Sequence, residues 1–282
     1  MNIHRPVSRR LTASGILLLM LSVALTGRAY ASELAQSVIS SSALDTVIEQ
    51  YPQMITESIT RGIKQTGGVD PMVSGAIQLM VGQAFNSRRI RAQVAASLDE
   101  ELTPKTLTSV RDFYHSDLGA RVAGLESAAA LPSAWPQIES AGPALVKQYR
   151  GTERERLFDA FDQASRATEN AVDTTIAVQT ALGTAVAALR GQPADFDVIH
   201  SRVEKQRDML TGLVEQQVYA AYLYTYKALS DAQLKRYIQF LESRDGRQFS
   251  RVATGSLKQA ILDPIQSISN GLNQLLSPAD KT

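Results

Sequence analysis

The feature that most restricts what this chain can fold into is a gapless internal match. Leu102–Gly119 aligns with Leu229–Gly246 at a constant offset of 127 in residue number. Five positions are identical: Leu102/Leu229, Leu107/Leu234, Phe113/Phe240, Ser116/Ser243 and Gly119/Gly246. Thr103 falls opposite Ser230, which keeps a hydroxyl. The same offset brings the Gly67-Gly68-Val69-Asp70 breaker onto residues 194–197, directly after Gly191-Gln192-Pro193, and carries Pro136 to within one residue of Pro264. Self-similarity at a fixed spacing marks one supersecondary unit used twice. The expected organisation is two tandem similar helical units, residues 32–150 and 151–282, behind a leader at residues 1–31.

The repeated segment reads as a helix start, a short helix, a tight turn and a second helix. Thr103 and Ser230 stand where an N-cap oxygen accepts from an orphan backbone N–H. Pro104 follows at the first helical position, where a missing N–H costs nothing. Gln233, three residues after Ser230, has the reciprocal spacing of a capping box. Ser116 and Ser243 are placed to cap the following helix, and Gly119 and Gly246 to let backbone approach backbone closely.

Elsewhere the apolar residues recur at three and four, with no sustained alternation, so the fold class is all-α. Residues 152–190 carry Leu157, Phe161, Ala164, Thr168, Ala171 and Thr175 along one stripe that continues to Leu189, and the Gly191–Pro193 break ends it. Residues 196–229 hold a similar spacing from Phe196 to Leu229. In the first half, 44–63, 71–98, 104–114 and 119–130 are each bounded by glycine, proline or a capping hydroxyl.

The amino terminus has the three parts of a secretory signal: Arg5, Arg9 and Arg10, an apolar run from Leu11 to Leu25, then Ala29-Tyr30-Ala31. The run is shorter than the ~20 residues of a membrane span. Cleavage after Ala31 and a periplasmic location are expected, with no membrane span in the mature chain. With no cysteine in the chain, neither a lipid anchor nor a disulfide is expected. Removing the four leader arginines leaves 25 basic against 28 acidic residues, a net charge of −3. That balance opposes nucleic-acid binding, which needs clustered positive charge.

Catalytic signatures are missing. His115 and His200 are the two histidines beyond the leader, and with no cysteine they make no zinc set. No Gly-x-Ser-x-Gly elbow, Ser-x-x-Lys pair or phosphate loop occurs. No metal and no cofactor is expected. Tyr219, Tyr222, Tyr224 and Tyr226, followed by Tyr237, concentrate phenols that suit a groove or an interface, with Tyr219, Tyr222 and Tyr226 on one helix face. Arg88, Arg89 and Arg91, with Lys105 and Arg111 beyond them, form a basic patch for an anionic or acidic partner.

The pattern Leu-(Thr/Ser)-x-x-x-Leu-x-x-x-x-x-Phe-(Tyr/Leu)-x-Ser-x-x-Gly resembles the core of domain of unknown function 2059, a small Gram-negative helical domain found behind a signal peptide. Glu101-Leu102, Phe113-Tyr114, Ser116, Gly119 and Arg121 fit it in the first copy. The second copy departs, with Leu241 in place of the tyrosine and Gln248 in place of the arginine. The resemblance implies a helical bundle in the periplasm, present as two copies, and carries no activity.

The reading favoured by these features is a non-enzymatic interaction or ligand-binding module of the cell envelope. Its site is expected in a groove between helices near the Phe113 and Phe240 hairpins. The candidate binding residues are Phe113, Tyr114, Arg121, Tyr219, Tyr222, Tyr226 and Phe240; the expected partner is an envelope protein or a small apolar or amphipathic ligand. The alternatives are a chaperone-like holdase, and an enzyme whose site forms where the repeats meet, with Tyr114, His115 and Arg121 as its polar groups.

Overall fold

Thr103 and Ser230 start helices for the reason their side chains predict. In a computed structural model that describes residues 33–65, 79, 82–189 and 195–276, the Thr103 hydroxyl accepts from the Thr106 N–H, and Ser230 accepts from Gln233 N–H in a complete capping box. The expected leader and the Gly67-Gly68 and Gly191–Pro193 breaks lie outside the described residues. All the described regular structure is helical. The chain runs through α1 (33–41), α2 (Leu44–Gln65), α3 (Ser87–Glu101), α4 (Pro104–His115) and α5 (Asp117–Ala130). A 3₁₀ turn (Pro132–Ala134) leads into α6 (Trp135–Tyr149), followed by α7 (Glu153–Ser165) and α8 (Ala167–Leu189). The last four are α9 (Phe196–Glu204), α10 (Arg207–Thr225), α11 (Asp231–Glu242) and α12 (Arg244–Leu276).

The two hairpins, α4–α5 and α11–α12, follow the same local rules. Both bounds of α4, shifted by 127, are the bounds of α11. Ser116 Oγ accepts from Gly119 N–H at 3.1 Å and Ser243 Oγ from Gly246 N–H at 3.0 Å, each hydroxyl also donating to the phenylalanine carbonyl three residues back at 2.6 Å. A Cβ on Gly119 would lie 1.9 Å from the Phe113 carbonyl oxygen, and one on Gly246 2.0 Å from that of Phe240. Glycine is required at both turns because the second helix passes directly over the end of the first.

The two continuous stripes of the second half are each interrupted. At Arg166 the backbone enters the left-handed region (φ 55°), separating α7 from α8, while Asp162 accepts from the Thr168 N–H at 2.7 Å across the bend. At Lys205-Gln206 a turn separates α9 from α10. Neither site holds glycine or proline, so the apolar spacing runs on through a backbone that does not. In the first half, Phe85 and Asn86 break the expected 71–98 helix, because the Asn86 side chain caps α3.

Packing joins the halves. One core collects Leu34, Val38, Val94, Leu98, Leu107 and Val110 from α1, α3 and α4, and is completed by Phe249, Val252 and Leu257 of α12. The other collects Phe158, Phe161, Tyr222, Leu223, Leu234 and Tyr237 from α7, α10 and α11, and is completed by Val122 of α5. Phe249 lies 127 residues after Val122, so each hairpin lends its second helix to the other core. Where the hairpins meet, Phe113 and Phe240 stack with ring centroids 3.6 Å apart and planes 2° from parallel. α2 and α8 also pack on each other. Among the described residues no helix is long and apolar enough to cross a membrane.

Candidate functional site

Among the described residues, α6 and α10 enclose a mainly apolar groove with a volume of about 890 Å³. Proline builds one wall: Pro136 opens α6, and Pro143 sits inside it with no N–H to give to the Glu139 carbonyl one turn back. Gly142 builds the floor, because a Cβ there would already be 3.2 Å from the Ala220 methyl, so the two helices run close together. Trp135, Ile138 and Val146 line the α6 side, and Leu213, Gln217 and Tyr219 the α10 side. Leu213 is 57 % exposed and Met209, one turn earlier, 61 % exposed. Trp135 is the single tryptophan of the chain.

Tyr219 connects this groove to the core behind it. Its ring centroid lies 4.9 Å from that of Phe158. Its hydroxyl is buried with no hydrogen-bond partner, and burial, with the nearby Glu155 carboxylate, pushes the phenol above its ordinary range.

Behind Tyr219 lies a polar cluster that the sequence reading missed. Glu126 of α5 accepts from both the Tyr226 and the Tyr237 hydroxyls at 2.6 Å on one oxygen. Both tyrosines are 4 % exposed. Burial pushes the Glu126 carboxyl above its usual range, and the two tyrosine hydrogen bonds pull against that rise. Burial and the Glu126 charge together push the Tyr226, Tyr237 and Tyr114 phenols up. Arg154 of α7, itself 5 % exposed, is the second missed residue. Its guanidinium donates to the Tyr226 carbonyl at 2.8 Å, the Leu229 carbonyl at 2.6 Å and Asp231 at 2.8 Å, clasping the end of α10 to the start of α11. Tyr222 returns a hydrogen bond to the Arg154 carbonyl at 3.0 Å. A sequence signal for Glu126 exists, since it falls on the apolar stripe of α5 one turn after Val122. Arg154 has none, sitting in a run of alternating charges.

The expected site residues are thus distributed over several environments. Tyr219 lines the apolar groove; Tyr222 and Tyr226 are core residues behind it. Phe113 and Phe240 fill the space between the hairpins with their own stacked rings, and the apolar groove lies at α6–α10. Tyr114 is buried beneath a second, polar hollow of about 580 Å³ that is also lined by His115 and by serines of the α1–α2 turn. The exposed Arg121 donates to the Ala228 carbonyl at 2.6 Å, tying α5 to the loop after α10, and does not line that hollow. Tyr114, His115 and Arg121 therefore do not converge on one point. In the basic patch, Arg91 pairs with Asp45, and Arg111 with Asp112 at 2.7 Å.

Comparison with known families adds one fact. Residues 88–148 match the family model of an uncharacterized protein conserved in bacteria, domain of unknown function 2059. The match runs from the first turn of α3 to the end of α6, so it contains the first hairpin, Glu126 and one wall of the groove; α10 lies outside it. No curated protein and no solved structure matches the chain.

Proposed function

We propose that this is an exported cell-envelope protein, built by duplication of one helical unit, that binds an apolar or amphipathic ligand in the α6–α10 groove without chemistry of its own. The observation that carries the reading is the groove. A mainly apolar concavity of about 890 Å³ falls within the size of ordinary ligand sites. It is flanked by two large exposed apolar side chains, Met209 and Leu213. Residue pairs at the repeat offset with matching caps, glycines and core places support the duplication. The basic, apolar and small-residue order along positions 1–31 supports export.

The test uses Trp135. In the mature protein purified from its own periplasm, native mass spectrometry is expected to show an adduct that denaturation releases. Stripped protein is expected to change its tryptophan emission when the neutral amphiphile dodecyl maltoside is added below its micelle concentration. A clean mass together with an unresponsive Trp135 would overturn the groove as a ligand site. An intact mass beginning before Ser32 would overturn cleavage after Ala31.

A further inference from the structure

The two ends of the groove differ in chemistry. Tyr224 of α10 donates to the Gln137 side chain of α6 at 2.8 Å, and Ala220 faces Gly142 further along, so the two helices run antiparallel. Gln216 and Gln217 therefore lie towards Val146, while Trp135 and Ile138 lie at the far end with Ala129 of α5. From Trp135 to Val146, α6 advances about 16 Å at about 1.5 Å per residue. At the Trp135 end the three side chains are half-buried and mainly apolar. At the other end Gln216 and Gln217 are exposed, and each carboxamide both donates and accepts. Tyr219, next along α10, adds a phenol whose buried hydroxyl has no partner.

Charge narrows the choice of head group. Among the described residues of the lining none is lysine or arginine, and Glu139, the one charged residue there, is exposed. An anionic head finds no cation here and is repelled by the Glu139 carboxylate. A cationic head finds a single solvent-screened carboxylate, which holds weakly, and Glu139 sits next to Ile138, where the surface suits a tail. A neutral head meets the carboxamides at the open end and asks for no counter-charge. A few placed polar groups beside an apolar wall are what fix the orientation of a small ligand.

We propose that the groove holds a single-chain amphiphile with a neutral head bearing hydroxyl or amide groups, the head against Gln216 and Gln217 and the tail end against Trp135. The span between those groups is close to the extended length of a dodecyl chain. This rests on the groove reading above, and the experiment separates the two. The full mature chain is titrated with dodecyl maltoside, laurate and dodecyltrimethylammonium, each below its micelle concentration, while Trp135 emission is followed. The maltoside is expected to bind about tenfold or more tighter than either charged probe. Dodecyl maltoside brominated at the tail end is expected to quench Trp135 strongly, and the isomer brominated beside the head to quench it weakly. Gln216→Ala combined with Gln217→Ala is expected to weaken maltoside binding about tenfold, with laurate binding and circular dichroism unchanged. If a charged probe binds as tightly as the maltoside, if the head-brominated isomer is the stronger quencher, or if the double variant binds the maltoside as the native chain does, this proposal falls and the groove reading stands. Silence of Trp135 towards every probe overturns both.

Discussion

Replacing Glu126 by glutamine tests the buried cluster through its proton. The Glu126 carboxyl is raised in the folded protein, chiefly by burial, while in the unfolded chain it titrates near the ordinary glutamate value. Below that ordinary value both states hold the proton and the residue adds no pH dependence. As pH rises from there to the folded value, the unfolded chain releases a proton that the folded chain keeps, so stability falls. The slope for one proton is at most about 1.4 kcal/mol per pH unit, and above the folded value the loss is constant. Glutamine keeps an oxygen that can accept from both Tyr226 and Tyr237. The assay is urea denaturation of native and Glu126→Gln chains from pH 4 to 9. The difference between them isolates this residue from carboxylates such as Glu204, whose pairing with Arg207 holds it low and whose contribution is lost as pH falls. The variant is expected to gain on the native chain as pH rises through the window and to hold that gain above it. A difference that is flat with pH, or that moves the other way, would refute a raised carboxyl at the Tyr226–Tyr237 cluster.

Further outcomes follow from the same contacts. Gly119→Ala and Gly246→Ala each drive a methyl into a backbone carbonyl oxygen at about 2 Å; each is expected to cost more than about 3 kcal/mol by chemical denaturation, in similar measure. Arg154→Ala leaves the buried Leu229 carbonyl and Asp231 without their guanidinium donor, while the Tyr226 carbonyl keeps the Leu229 N–H; a loss of about 2 kcal/mol or more is expected, and Arg154→Lys should fail to restore it because one ammonium cannot span the fork. A double-mutant cycle on Phe113→Leu and Phe240→Leu should show a coupling of about 0.5–1.5 kcal/mol, the contribution of the ring stack beyond its buried area.

Much of the local design was legible because it depends on few neighbouring residues. Thr103-Pro104, Ser230 with Gln233, and Ser116 and Ser243 bond backbone groups two or three residues away, so their order along the chain specifies helix starts directly. The interruptions at Arg166 and at Lys205-Gln206 were not legible. An apolar stripe reports which side faces a core, and it keeps its phase across a bend that packing imposes. The tyrosine cluster was visible as composition, but its role depends on Glu126, which lies 100 residues before Tyr226.

By itself the sequence determines that this chain is helical, where α2 and both hairpins begin, and that a pattern recurs at a spacing of 127. Those properties follow from side-chain periodicity and from hydrogen bonds within one turn. Tertiary structure alone decides that Val122 and Phe249 complete each other's cores, that Phe113 meets Phe240, and that α6 and α10 leave a groove beside Trp135. Each depends on which helices come together across long stretches of chain, where burial of apolar surface is non-directional and the fit of side chains selects the partner.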